Sequence, residues 1–398
     1  MPSPQKLDTH HIALTLNLDP STFGSFAEIG AGQEVARWFL LVGGASGTVA
    51  KTISAYDKEV SDDLYGSGSR YVSKQRLEAM LDSEWTQLLT QLSKSRGSQT
   101  RFFCFVDTVS ARNFAGTNDS HGWTGLRFQL QPGGLPNDIL LHVNMRDASN
   151  ALQQQAIGIL GVNLIYTAFY EGQTKESFLA GLAQDVSAER IEIDYVNLRG
   201  PAFESWDHRA LQVHLVRAGL AEAVFFSSKG SLVPPAEVLH KKAVVLAPGY
   251  FSHTDPVHSQ VHLRLLASGI QELQADLGET NSAPAGFFCL TVAPFAPDDP
   301  APEIPDLLRR IDALLAAGGD VLLFRQPELY HMTTLVYPMT ATDLREWLQN
   351  VSVTGWEWSE TNGWVSASQL RCAPPLGHLF AYLLASNFLV PMRVPAGA

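Results

Sequence analysis

Three histidines in one short segment are the residues of this chain whose types and spacing most suggest chemistry. His253, His258 and His262 lie in residues 249–263, GYFSHTDPVHSQVHL, directly after the apolar run AVVLA. An apolar run that ends in Pro-Gly predicts a buried strand and its turn, and Asp255 followed by proline predicts the start of a helix. In an α/β sheet, the loop after a strand and the N-terminus of the next helix bind anions. Three imidazoles at that place predict phosphate chemistry.

A second segment adds the groups that a nucleotide site would need. Residues 340–345, TATDLR, place Thr340, Thr342 and Arg345 at another predicted helix start. Helix N-terminal amides would hold phosphate oxygens there, and the arginine would neutralise the charge on a departing pyrophosphate. Positioning two nucleotides in line requires no covalent intermediate.

Together the two segments resemble the motifs of the HxGH class of adenylyltransferases. Residues 26–39, FAEIGAGQEVARWF, also resemble a family of soluble bacterial proteins, one of which is called nicotinate-nucleotide adenylyltransferase. The resemblance implies adenylyl transfer to a mononucleotide, with ATP and Mg²⁺ as cofactors. It implies these catalytic residues: His258, His262 and Arg345. It implies these nucleotide-binding residues: Gly249, Phe251, Asp255, Thr340 and Thr342.

The first segment departs from the HxGH pattern in several respects, among them histidines four residues apart instead of three, and metal binding is an alternative interpretation. Residues 252–254 are inserted before Asp255, and Gln260 and Val261 stand where the class has a glycine that lets the nucleotide approach the backbone. Histidines four residues apart share one helix face. His258 and His262, with His253 nearby, are therefore also a candidate set of zinc ligands.

Composition limits the class of protein and its partners. The 398 residues predict two domains, which we place at 1–185 and 186–398. A net charge of −12 argues against a broad nucleic-acid or anionic-membrane surface. No apolar run reaches membrane-spanning length, and three widely separated cysteines are typical of reduced thiols. We therefore expect a cytoplasmic protein with no membrane partner and no nucleic-acid partner.

The order of strand and helix patterns predicts an α/β fold. In the first half, residues 101–108, 125–130 and 139–145 predict three strands of one sheet. Residues 151–170 predict a helix that is apolar nearly all round and therefore buried against that sheet. Between residues 191 and 324, strand and helix patterns alternate, which predicts a mostly parallel sheet with helices on both faces.

Polar residues in the first half leave open a separate site. Gly30 and Gly32, preceded by Glu28, resemble the glycine loop of methyl-donor methyltransferases, but no clear apolar strand precedes them. A tight turn is the simpler interpretation. Lys51 lies beside the acidic segment at 61–63. Other polar or aromatic side chains stand near predicted strand ends: Asn118, Asp119, His121, Trp123, Arg127, Asp194, Asn197 and Arg199.

Two classes of function therefore remain open besides metal binding. One is a nucleotide or phosphate-ester handling protein with a small-molecule nucleotide as its partner. The other is a non-catalytic interaction or assembly protein, because no catalytic motif is intact and the surface is acidic. Either class allows a homo-oligomer.

Overall fold

The computed structural model describes residues 8–115, 118, 120–172, 174–221, 223–227, 229–230, 232–235, 243–248, 287–291, 303–316, 320–324, 334–339, 356–359 and 363–366. The chain divides into two compact units, Met1–Ala221 and Glu222–Ala398. Both combine strands with helices, so the α/β prediction is confirmed. No helix in the described ranges is long and apolar enough to cross a membrane.

The first unit contains one six-stranded sheet with helices on both faces. Its strands are β1 (Thr22–Ile29), β2 (Val49–Ile53), β3 (Arg101–Ser110), β4 (His121–Phe128), β5 (Asn137–Met145) and β6 (Ile191–Arg199). Its helices are α1 (Thr9–Leu18), α2 (Glu34–Leu41), α3 (Lys58–Tyr65), α4 (Lys74–Arg96), α5 (Asn150–Tyr166), α6 (Lys175–Leu182) and α7 (His208–Arg217). The strand order is β2-β1-β3-β4-β5-β6. β2, β1 and β3 run parallel, and β3 to β6 form an antiparallel series.

Helices α4 and α5 begin where the sequence supplies a serine cap. The Ser73 side chain accepts a hydrogen bond from the Arg76 N–H at the start of α4, and the Ser149 side chain accepts one from the Leu152 N–H at the start of α5. Each satisfies one of the backbone donors that a helix N-terminus leaves unpaired. The predicted helix at 151–170 and the three predicted strands are confirmed, and most of α5 is buried.

The two faces of the first sheet carry different helices. Gly125 on β4 faces Leu77 and Leu81 of α4, whereas Phe105 on β3 faces Gly161 of α5. Phe105 pairs with Leu126, the residue after Gly125, so the two helices lie on opposite faces. We call these the α4 face and the α5 face. One end of this sheet is called the upper edge. Strands β1, β2, β3 and β5 terminate there, and strands β4 and β6 begin there.

Two expectations about the first unit need correction. A strand does precede the glycine segment, because β1 (TFGSFAEI) is buried although Ser25 and Glu28 interrupt its apolar pattern. The predicted boundary after residue 185 would assign β6 to the second domain. Instead β6 pairs with β5 along its length, and the strand belongs to the first sheet.

The second unit contains strands β7 (Ala223–Phe226), β8 (Leu232–Val233), β9 (Ala243–Pro248), β10 (Phe287–Thr291), β11 (Asp320–Phe324), β12 (Thr334–Met339), β13 (Trp356–Ser359) and β14 (Gly363–Ser366), and helix α8 (Ile304–Ala316). The order of the larger sheet is β8-β7-β11-β10-β12-β9. Only β10 and β11 pair in parallel among its described strands. The sheet is therefore mixed rather than mostly parallel. Helix–strand alternation alone does not determine the direction of each pairing.

Close packing of α5 on α2 gives the first testable expectation. A Cβ atom at Gly161 would lie 2.3 Å from Val35 Cγ2 and 2.9 Å from Phe105 Cζ. Gly161→Ala should therefore lower the free energy of unfolding by about 1–3 kcal/mol, as overpacking does, despite alanine's higher helix propensity. Chemical denaturation would measure it. Adding Val35→Ala should cost less in this variant than in the wild type; simple additivity would contradict the packing argument.

Candidate functional site

A chain of hydrogen bonds links three side chains on the α4 face at the upper edge. His142 Nδ1 lies 2.6 Å from Asp194 Oδ1, and His142 Nε2 lies 3.1 Å from His121 Nδ1. The side chains of His142 and Asp194 are each 1% exposed, whereas His121 is half-buried. The chain thus runs from a buried carboxylate to a more accessible imidazole.

The hydrogen-bond partners fix where the protons lie. Both Asp194 oxygens accept, Oδ1 from His142 and Oδ2 from Asn144 Nδ2 at 2.9 Å, so Asp194 acts as a carboxylate acceptor. His142 Nδ1 then carries a proton, and its Nε2 lone pair accepts from His121 Nδ1–H. In this arrangement His121 carries its proton on Nδ1, and His142 orients the ring.

A β-bulge brings Asp194 into the chain. His142 pairs with Tyr195 but Val143 pairs with Ile193, so Asp194 is an extra residue on β6. In a regular strand, neighbouring residues such as Asp194 and Tyr195 point to opposite faces. The bulge re-aims one of them, and the Asp194 carboxylate reaches His142 on the face that Tyr195 also occupies.

Aromatic rings hold the buried part of the chain in place. The Trp123 ring lies edge-on to His142 at 5.0 Å and to Tyr195 at 5.3 Å between centroids. Trp123 and Tyr195 are each 1% exposed. This packing excludes water from His142 and limits its rotation, which preserves the hydrogen bonds at both of its nitrogens.

Polar side chains extend the cluster beyond the histidines. Asn144 Nδ2 donates to Glu192 Oε2 at 3.1 Å as well as to Asp194, and Arg146 pairs with Glu192 at 2.7 Å. Each of these groups has a partner, so the carboxylates near the histidines are held by hydrogen bonds and by charge. The described residues contain no group of three histidine, cysteine or acidic side chains arranged to hold a metal ion.

The N-terminus of α4 lies beside the cluster. Thr108 Oγ1 donates to the Tyr71 carbonyl at 2.7 Å, which ties the segment before α4 to the end of β3. Lys74 Nζ, in the first turn of α4, donates to Tyr195 Oη at 2.9 Å. The positive end of a long helix dipole and one lysine therefore lie next to the aromatic packing of the histidine pair.

Two buried carboxyl groups lie on the α5 face of the same edge. Glu28 and Asp107 are neighbours across β1 and β3, and both are 1% exposed. Burial raises the pKa of Glu28 to about 7; hydrogen bonds from the Ala36 and Val35 N–H groups lower it, and the charge of Glu34 raises it. Burial, and then the charge of Glu28, raise the pKa of Asp107 well above its usual range.

The glycine segment after β1 is a tight turn, as the simpler interpretation predicted. Gly30 has a φ of 105°, and a Cβ there would lie 1.8 Å from the Val109 carbonyl oxygen. The Glu28 carboxylate accepts from the Val35 and Ala36 N–H groups, both at 2.9 Å. The start of α2, where a ligand's anion would bind, is therefore occupied by a side chain of the protein itself.

The residues predicted for adenylyl transfer lie outside the described residues. These are Gly249, Phe251, Asp255, His258, His262, Thr340, Thr342 and Arg345, and the alternative metal ligand His253 lies there too. The strands that lead to the two motifs are adjacent and antiparallel, with Pro248 beside Thr334 and Met339 beside Ala243. The two strand ends that the motifs follow thus lie at opposite ends of a six-residue pairing, roughly 17 Å apart.

Of the other polar residues singled out from the sequence, the structure brings together His121, Trp123 and Asp194. Arg127 instead pairs with Asp138 and Asp82, and Arg199 pairs with Glu78. Arg127 is six residues along β4 from His121, roughly 20 Å away. Asn197 accepts a hydrogen bond from the Arg199 side chain, Asn118 donates to Ser110 and Ala111, and Asp119 lies outside the described residues.

His142 is the residue that sequence reasoning missed. It lies inside the correctly predicted strand at 139–145, in the run ILLHVNM. The available signal was a histidine and, two residues on, an asparagine in an otherwise apolar strand. In strand geometry these two side chains share a face.

Comparison with known proteins identifies no family for this chain. No protein-family model and no curated protein matches it. Several solved structures resemble part of it.

One is the competence/damage inducible protein CihA from Agrobacterium tumefaciens, with 20% sequence identity and a TM-score of 0.30, and the match covers 40% of this chain and 94% of that chain. Another is a competence or damage-inducible protein from Enterobacter asburiae, with 12% identity and a TM-score of 0.29, and the match covers 41% of this chain and 98% of that chain. A third is a competence-damaged protein (CinA) superfamily protein from Enterobacter cloacae, with 11% identity and a TM-score of 0.31, and the match covers 42% of this chain and 96% of that chain. None of these likenesses assigns a substrate or a role to any residue of this chain.

Proposed function

We propose that this protein is an enzyme that acts on nucleotides or phosphate esters, with His121 as its general acid and base. The observation that carries the proposal is the hydrogen-bond chain Asp194–His142–His121. When His121 Nε2 takes a proton from a substrate, the positive charge is shared through His142 and stabilised by the buried carboxylate. Orientation of a histidine by a second group is the usual way in which a protein makes it an effective proton-transfer group.

The groups around the histidine pair support an anionic substrate. The N-terminus of α4 carries partial positive charge, and Lys74 adds a full charge beside it. A phosphate group bound there would bring its ester or anhydride oxygen towards the upper edge. Protonation of that oxygen by His121 would then assist its departure.

Adenylyl transfer by the second unit stays a separate prediction. It would use His258, His262 and Arg345, with ATP and Mg²⁺, and it rests on the sequence resemblance alone. The antiparallel arrangement of β9 and β12 means that the chain after these strands must turn back for the two motifs to meet. A substrate screen with nucleotides and phosphate esters, combined with variants in both units, tests both assignments.

His121→Ala should lower turnover at least about 10²-fold, the usual size of a general acid–base contribution. The wild type would first be screened against nucleoside mono- and triphosphates and small phosphate esters, with and without Mg²⁺, with products separated by chromatography. Kinetics of the variant on the substrate identified would then measure the loss. His11→Ala is the matched control, because that side chain is 66% exposed on α1.

The alternatives give different results in this experiment. Full activity of His121→Ala together with loss of activity in His258→Ala would move the reaction to the second unit. If no nucleotide or phosphate ester is turned over, and none raises the melting temperature, the proposal fails and a non-catalytic interaction protein is favoured.

A further inference from the structure

A small cavity lies on the α4 face, away from the histidine pair. It has a volume of about 190 Å³ and lies between β1, β2 and the second half of α4. Phe23 and Leu88 supply apolar walls, and both are buried. By comparison, a protein cavity of roughly 150 Å³ is large enough to hold benzene. The space therefore fits a molecule of about one ring, or a short alkyl chain, with one polar group.

Ser25 gives the cavity a polar group that is weakly satisfied by the protein. It lines the cavity and is 1% exposed, and its Oγ has no nitrogen or oxygen partner among the described residues. Its register partner on β3 is Cys104, whose thiol is a weak hydrogen-bonding group. Burial raises the pKa of Cys104 to about 12, and a hydrogen bond from Ser25 lowers it. A carboxylate in the cavity would be a stronger acceptor for the Ser25 hydroxyl than this sulfur is.

The charges of the lining favour an anion. Lys51 Nζ lies 2.5 Å from Glu84 Oε2 and 3.1 Å from Gln87 Oε1. Arg96 lies at the mouth with its guanidinium 4.1 Å from the centre of the Phe23 ring, and it has no acidic partner in the part of the chain that the structure describes. Two cationic side chains thus line the cavity with one carboxylate, which leaves one positive charge uncompensated.

We propose that this cavity binds a small organic acid, a carboxylate on a short apolar body. The carboxylate would lie between Arg96 and Lys51, where charged hydrogen bonds to oxygen are strongest. The apolar body would lie against Phe23 and Leu88, and Ser25 Oγ would donate to a carboxylate oxygen. This site is separate from the histidine pair and does not depend on the function proposed for it.

Binding of benzoate and hexanoate to the full chain tests the proposal, with benzamide as the uncharged control. We expect titration calorimetry to show that at least one carboxylate binds at least about tenfold more tightly than benzamide, the effect of one charged contact. Arg96→Gln should weaken that binding about tenfold. Arg37→Gln, an exposed arginine on α2, should leave it unchanged.

Two further variants separate binding from folding. Ser25→Ala should weaken binding about fivefold with little change in the melting temperature, because the substitution removes only a weak hydrogen bond to the Cys104 thiol. Leu92→Trp should fill the cavity and abolish binding.

Absence of binding by either carboxylate at millimolar concentration would overturn the proposal. Equal binding of benzamide, or an equal loss in Arg96→Gln and Arg37→Gln, would also overturn it. If Leu92→Trp does not fold, the Ser25 and Arg96 variants decide the question alone.

Discussion

Asp194→Asn is expected to lower turnover about 10³- to 10⁴-fold, because it reverses the direction of the hydrogen bonds in the histidine pair. Asn144 Nδ2 donates to position 194, so the new amide would turn its oxygen towards Asn144 and its NH₂ towards His142. His142 Nδ1 would then have to accept, and its Nε2 would become the donor. His121 Nδ1 would accept in turn, and the proton of His121 would move from Nδ1 to Nε2.

Two measurements check this expectation. Steady-state kinetics on the substrate identified by the screen would give the loss of turnover, and ¹⁵N NMR of the histidine rings would report the tautomers directly. We expect the Nε2 of His121 to change from the unprotonated to the protonated signal at neutral pH. The NMR result does not depend on knowing the substrate.

The matched control is Asp82→Asn. Asp82 also lies on the α4 side, but its side chain is 70% exposed and it pairs with Arg127 at the other end of β4. An exposed ion pair contributes little, so neither turnover nor the histidine signals should change. If Asp194→Asn keeps wild-type turnover with altered tautomers, the histidine pair is a structural network and the proposed function fails.

Asp107→Asn is expected to stabilise the first unit at pH 8. Burial, and then the charge of Glu28, raise the pKa of Asp107 well above its usual range. Because the native pKa is raised, the contribution of the protonated Asp107 carboxyl to stability is complete below its unfolded pKa, and it is lost as the pH rises towards its native pKa. Asparagine does not ionise, so the variant avoids that loss. Burial also raises the pKa of Glu28 to about 7, and Glu28 keeps its own pH dependence in the variant.

The substitution removes one of the two buried charges and keeps the local hydrogen bond. Asp107 Oδ1 accepts from the Ile29 N–H at 3.0 Å, and asparagine retains a carbonyl oxygen that can do the same. Glu28→Gln is the contrasting substitution. In the wild type the two Glu28 carboxylate oxygens accept from two backbone N–H groups. A glutamine amide has one oxygen, so it can accept from only one of them.

Urea denaturation between pH 4 and pH 8 would measure the effect. The wild type should lose stability across this range, and Asp107→Asn should lose less, with the remaining loss due to Glu28. Asp63→Asn, at an exposed position on α3, should follow the wild type. Parallel pH profiles for wild type and Asp107→Asn would show that Asp107 does not contribute to the pH dependence of stability, which would contradict the prediction.

Local patterns in the sequence determined the elements that need no distant partner. The cap at Ser73 and the helical spacing that follows specify α4, and the apolar run of residues 156–165, interrupted only by Asn163, specifies a buried α5. Strands β3 and β5 were readable from their aromatic and β-branched runs. Strand β1 was not, because the buried polar residues Ser25 and Glu28 interrupt its apolar pattern.

The tertiary structure alone decided which polar residues meet. His121 and His142 are 21 residues apart and His142 and Asp194 are 52 apart, and each lies on a different strand. Their contact depends on the assignment of β6 to the first sheet and on the one-residue bulge beside His142. A change of one residue in register moves a side chain to the opposite face. Residue spacing within a strand carries no information about its register with a neighbour, so only the paired sheet brings Asp194 to the histidines.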